Sequence, residues 1–308
     1  MTKGGLAAAG AVGAGLLLHN RDVLSVDAMG EPQIRDYRVA EARPDLPEFA
    51  WAKGSGPDQV TRACVKALGG MGRFIEAGDR VTIKPNVGWD RDPRHAANTN
   101  PEIVASVVAM CLEAGAAEVV VTDGSCNDPR RCFTRSGIGR AAQTAGAKVV
   151  LPDKHRYRQL PIGGKILTDW PVLMPFLTAD KLINVAPVKH HTLCGSTVAM
   201  KNWYGILGGR RNILHKDIHQ SIYDLTHFMR PTLTIVDAIR ILVRNGPQGG
   251  SYRDAEERNL VAATTDLVAG DAWGAELLGR KPLDVGYIRM ADGDLGTADW
   301  RKLRVKEA

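Results

Sequence analysis

The residue types most able to do chemistry gather in one stretch, residues 182–202, LINVAPVKHHTLCGSTVAMKN. Lys189, His190 and His191 stand at its middle, and Lys201 and Asn202 at its end. A lysine beside a histidine in a partly buried pocket has its pKa lowered, which makes the amine usable as a base or a Schiff-base nucleophile. Lys189 and His190 are therefore the candidate catalytic pair. Lys201 and Asn202 lie near the expected start of a helix, where a cation and free backbone N–H groups can hold phosphate or carboxylate. Further on, His215 and His219 are four residues apart. On a helix that spacing puts both imidazoles on one face, and with His191 as a third ligand they would suit zinc or another divalent metal. Two solvent-side histidines on an amphipathic helix would show the same spacing. Lys216 stands where H-E-x-x-H has its glutamate, which argues against a zinc protease of that kind.

These residues need elements to position them. Residues 182–188 are mostly apolar and read as a buried strand that delivers Lys189 to its end. Residues 80–83 read as another strand, leading Lys84 and Asn86 into a loop, after which Asn98-Thr99-Asn100-Pro101-Glu102 has the cap, proline and acid of a helix start. Residues 118–122 form the next strand and end at Asp123-Gly124-Ser125. A strand, an amphipathic helix and a strand at this spacing make a βαβ unit, which requires parallel pairing. The alternation continues with a helix at 138–144, a strand at 148–151, a helix at 215–229, strands at 233–236 and 260–264 ending at Asp237 and Asp266, and a helix at 267–278. The predicted fold is α/β, a mainly parallel open sheet with helices on both faces, Rossmann-like. Ligands in such sheets collect at the strand carboxyl ends. Lys84, Asn86, Asp123, Ser125 and Asp237 thus join Lys201 and Asn202 as candidate substrate-binding residues. The glycine-rich segment YGILGGRRN adds Arg210 and Arg211, either to close over a ligand or as plain surface charge.

Composition narrows the ligand. The net charge is +6 with basic and acidic residues interspersed, and aromatics make up 6%. That favours a small anionic molecule and argues against a nucleic-acid groove, which calls for a basic stripe with interleaved aromatics. No C-x-x-C pair occurs among the five cysteines, so no iron–sulfur cluster is expected from this chain; Cys126 and Cys132 suit a disulfide in an oxidising compartment or two free thiols in a reducing one. Neither a P-loop nor a dinucleotide fingerprint is present. Residues 1–28 are expected to be a secretory segment, since residues 4–18 are small or apolar and uncharged, too short for a stable transmembrane anchor. An exported, periplasmic or cell-envelope location follows. Residues 29–56 read as an irregular lead-in with a possible strand at 37–40, and residues 57–308 as one domain.

The ordered motifs DRVTIKPN, NTNPEIVASVV, EAGAAEVVVTDGS, INVAPVKHHTL, STVAMKNWYGILGG, LTIVDAI, NGPQGG and TTDLVAGDAWGAELLG resemble the domain of unknown function 362 family from about residue 58 to the carboxyl end. The leader also resembles the middle of a twin-arginine export signal, though without the arginine pair. The family resemblance implies an often exported protein; some members carry a ferredoxin-like module, none of whose cysteine motifs stands in these 308 residues. It places the family's basic and amide positions on Lys84, Asn86, Lys189, His190, Lys201 and Asn202 and its acidic strand ends on Asp123 and Asp237, and assigns none a catalytic role. Two functions are expected: an enzyme for a small anionic substrate, metal-assisted or not, and a non-catalytic envelope protein holding a metal, cofactor or protein partner.

Overall fold

The computed structural model describes residues 36–39 and 43–308; the expected secretory segment lies outside them. The strands in chain order are β1 (Phe49–Lys53), β2 (Arg80–Pro85), β3 (Glu118–Val121), β4 (Lys148–Val149), β5 (Tyr157–Pro161), β6 (Asp169–Leu173), β7 (Lys181–His191), β8 (Gly195–Thr197), β9 (Leu233–Leu242), β10 (Ala255–Thr264) and β11 (Val305–Glu307). Among the described residues nine of them make one sheet in the order β11-β1-β10-β9-β7-β2-β3-β4, with β8 paired to the end of β7. β4, β3, β2, β7 and β9 run parallel, and β5 and β6 form a separate hairpin.

Parallel strands are covered on both faces, so their sequences must be apolar without alternation. β2 and β7 meet that demand: the last five residues of β2 are buried, and within β7 only Lys181 and His190 are partly exposed. On one face, helices Pro57–Ala67, Pro101–Glu113 and Ile138–Thr144 enclose a core that includes Ile83, Val121, Ile183, Val185 and Ile235. Alternate residues face the other way. Gly270 of helix Leu267–Leu277 approaches Val236 and Thr234, and Gly274 approaches Val188, so this helix covers the opposite face. The α/β architecture with helices on both faces is as expected.

Four local expectations are corrected. β10 is antiparallel to both β9 and β1, which puts Asp266 at the edge opposite the ends of β2, β7 and β9; there its carboxylate accepts the Ala269 N–H and caps helix Leu267–Leu277. The lead-in contains β1, a full member of the sheet held by partners some two hundred residues away in sequence. Residues 37–39 form no strand, although Tyr37 is buried with its hydroxyl on the Phe176 carbonyl; residue 40 lies outside the described residues. The helix expected at 215–229 is a 3-10 segment, Arg211–Asp217, followed by the α-helix Ile218–Phe228. Among the described residues no helix is long and apolar enough to cross a membrane.

Candidate functional site: a lysine-lined pocket at the strand carboxyl ends

The floor of the site is a chain of buried polar groups drawn from four separate segments. β2 carries Lys84 inward with no exposure, and its Nζ donates to Asp123 Oδ1 at 2.6 Å, to the Pro85 carbonyl at 2.8 Å and to Asn202 Oδ1 at 3.0 Å. Asp123, just past β3, accepts the Val87 N–H on its other oxygen at 2.6 Å. Asn202 Oδ1 also accepts Asn86 Nδ2 at 3.0 Å, while its own Nδ2 donates to Asn184 Oδ1 at 2.7 Å. Asn86 Oδ1 in turn accepts Lys189 Nζ at 2.9 Å, and Lys189 donates a second bond to the Ala97 carbonyl at 2.7 Å. Burial pulls the Lys84 pKa down, and the Asp123 carboxylate opposes that pull. A buried charge is tolerated only when paired and hydrogen-bonded, and Lys84 and Asp123 meet that demand in each other, whereas Lys189 has two neutral acceptors and no counter-charge.

Above the floor lies a cavity of about 380 Å³ lined by Asn86, Asp123, Lys189, His191, Lys201, Asn202, Arg211 and His215, among others. Burial lowers Lys189 to about 7 and Lys201 to about 8. Burial, reinforced by Lys201, also takes His191 down to about 3 and lowers His215, so both imidazoles are neutral. The His191 ring stacks on His215 with 6.2 Å between centroids, and His215 stacks on Tyr204 at 5.6 Å. Lys201 Nζ lies 4.1 Å from the Tyr204 ring centroid. Arg211 is pinned by the carbonyls of Gly124 at 2.7 Å, Tyr204 at 3.1 Å and Ser125 at 2.8 Å. Its loop is no free flap: the Gly208 N–H donates to the Pro171 carbonyl of β6, and Trp170 Nε1 donates to the Gly208 carbonyl. Arg210 next to it is exposed. Three basic side chains, Lys189, Lys201 and Arg211, thus face the cavity against one carboxylate, Asp123, which Lys84 already pairs.

Of the twelve candidate catalytic, substrate-binding and metal residues, seven line this cavity, as does Arg211, and Lys84 lies beneath it. The others stand elsewhere. His190 does not share the Lys189 pocket, because adjacent strand residues point to opposite faces; its Nδ1 accepts the Gly246 N–H at 3.2 Å. Ser125 braces a loop through a 2.6 Å bond to the Val87 carbonyl. Asp237 is buried and accepts the N–H groups of Asn100 and Ile239, which ties β9 to the start of helix Pro101–Glu113. His219 faces Tyr287, whose N–H it accepts, while His215 sits in the preceding 3-10 segment and lines the cavity. The helical H-x-x-x-H pair is therefore not formed. Among the described residues no three His, Cys, Asp or Glu side chains converge to hold a metal ion.

The helix start expected at Lys201 is also different. Helix Ala199–Asn202 has four residues, and its Met200 N–H is taken by Asp271 at 2.8 Å. Asp271 was not singled out in the sequence; its only signal is a carboxylate inside the apolar run LVAGDAWGAEL, where it is fully buried. Cys126 and Cys132 are free thiols, the first exposed at the cavity rim and the second buried. Under native conditions one thiol, Cys126, is expected to react rapidly with a disulfide reagent and to vanish from the titration in Cys126→Ser; several fast thiols would mean that the buried cysteines are accessible.

Fold and site together define an α/β protein with a mainly parallel sheet and a polar pocket at the parallel strands' carboxyl ends. The chain belongs to the family described as domain of unknown function DUF362, whose profile matches residues 81–276. It is similar to the thylakoid-associated protein sll1697 of Synechocystis sp. (strain ATCC 27184 / PCC 6803 / Kazusa), with 27% identity over 238 residues, 73% of this chain and 70% of that protein. The lactate racemase apoprotein of Thermoanaerobacterium thermosaccharolyticum is a structural neighbour with a TM-score of 0.43 and 10% identity, covering 79% of this chain and 61% of that one.

Proposed function

We propose that the protein is an enzyme that binds a small anionic molecule in the strand-end pocket and acts on it with lysine amines. The observation that carries this reading is the charge arrangement: Lys189, Lys201 and Arg211 line a cavity whose one carboxylate, Asp123, is already paired with Lys84. An anion entering there meets uncompensated positive charge in a partly dehydrated site, where charge-assisted hydrogen bonds are strongest. Amines held at about 7 and about 8 exchange protons near neutral pH, as a general acid or base must. The reading rests on these lysines and not on the histidine helix, whose imidazoles are apart. An exported or envelope location belongs to the same proposal and is supported by the uncharged run at residues 4–18.

A second reading, a receptor that holds its ligand without turnover, is favoured by one observation. Arg211 and Lys189 are already fixed by carbonyl and amide acceptors before any ligand arrives. Calorimetry with a panel of small carboxylates and phosphates tests the shared part of both readings. A bound anion stabilises the ammonium forms, so binding near pH 7–8 is expected to take up protons and to weaken as pH rises through the lysine pKa values of about 7 and about 8. Affinity indifferent to pH, or no ligand bound by the wild type, would sink the anion pocket. Turnover of a bound ligand that disappears in Lys189→Met would favour the enzyme; tight binding without turnover would favour the receptor.

A further inference from the structure

Lys201 differs from the other cations of the pocket in what holds it. Lys84 has three acceptors, Lys189 has two, and Arg211 donates to three carbonyls. Among the described residues Lys201 Nζ has no hydrogen-bond acceptor; its neighbour is the face of Tyr204. The side chain is 8% exposed, and the exposed part opens into the cavity. A buried ammonium without acceptors is not repaid for lost hydration, so this environment raises the share of free amine, which is a nucleophile, above that of a surface lysine. The imidazoles on the same side, His191 and His215, are neutral and offer no counter-charge.

We propose that Lys201 forms a Schiff base with a small carbonyl compound that also carries an anionic group, the class of 2-oxo acids and phosphorylated aldehydes. This rests on the reading of the pocket as an anion site and adds a covalent step to it. The Nζ lone pair attacks the carbonyl carbon while the C=O π electrons move to oxygen. Transfer of a proton from nitrogen to that oxygen gives a carbinolamine. Loss of its hydroxyl with one further proton as water leaves C=N, so amine and carbonyl yield imine and water with no oxidant or reductant. Lys189 is suited to hold the anionic group, since an ammonium has three N–H bonds and its two named acceptors leave one free. The Tyr204 ring face, which attracts a cation, serves the protonated imine as it serves the ammonium.

The test uses the full chain with pyruvate as probe and cyanoborohydride to reduce any imine, followed by peptide mass mapping. At pH 7 Lys201 is expected to be modified about two orders of magnitude faster than a surface lysine, the ratio of free amine set by a pKa of about 8 against the ordinary lysine value. Lys201→Arg, checked for an unchanged thermal melt, is expected to abolish the adduct. Calorimetry with pyruvate and inorganic phosphate, without reductant, runs in parallel. Both anions bound and no preferential adduct at Lys201 would overturn the covalent step and leave the anion pocket standing. Neither bound and no adduct would overturn both. Adducts spread evenly over surface lysines would also overturn the assignment.

Discussion

Lys84→Met is expected to destabilise the protein by about 3–5 kcal/mol, the range found when one partner of a buried ion pair is removed. The side chain is fully buried, and its loss leaves Asp123, 2% exposed, with the Val87 N–H as its remaining donor. It also leaves Asn202 Oδ1 with one donor in place of two. Urea denaturation reads the effect directly. The double variant Lys84→Met with Asp123→Leu is expected to recover part of the loss, because no unpaired charge remains; a double variant as unstable as the sum of the single changes would show that the pair contributes little as a pair. A single-variant loss below about 1 kcal/mol, the scale of an ordinary surface change, would show that water reaches Asp123.

The second large effect is expected at Gly205. A Cβ built there would overlap the Asp123 carboxylate and stand 2.7 Å from Lys84 Nζ, distances that real Cβ atoms do not show. Neither side can yield easily. The Gly205 carbonyl accepts the Gly124 N–H at 2.7 Å, and both Asp123 oxygens are engaged. Gly205→Ala is therefore expected to cost about 3 kcal/mol, the upper part of the overpacking range, and to abolish the anion binding proposed for the pocket. Gly72→Ala is the control, since a Cβ there meets nothing within 4 Å and its φ is not positive. Equal melting behaviour of the two variants would mean that the loop at Gly205 can shift, and that the floor is softer than the hydrogen bonds indicate.

The parts of the fold legible in the sequence are those specified by local physics. β2, β3, β7 and β9 each contain a mostly apolar run with charged residues at or near the ends of the run, and the Asn100 side chain does cap helix Pro101–Glu113, accepting the Glu102 N–H. The parts not legible depend on partners far along the chain. Nothing local to FAWAK says that β1 pairs with β10, and nothing local to residues 255–264 gives that strand its antiparallel direction. The site divides in the same way. Lys84, Asn86, Lys189, Lys201 and Asn202 stand at strand or helix ends and were visible as polar residues closing apolar runs. Gly205 and Asp271 owe their roles to close tertiary approach, which no spacing encodes. His190 was excluded by the two-residue period of a strand, a rule the sequence already contained; His215 and His219 parted because the helix begins after the first of them.

The polar floor also bears on how such a pocket can change over generations. Lys84, Asn86, Asp123, Lys189 and Asn202 each complete the hydrogen bonding of another member. Altering any one leaves its neighbour a stranded donor or acceptor under the protein surface, so no single step toward a different set runs downhill. The five are therefore expected to be inherited as a block, kept together or exchanged together, while the stacked rings and the tethered arginine loop above them are free to drift and to retune what the pocket accepts.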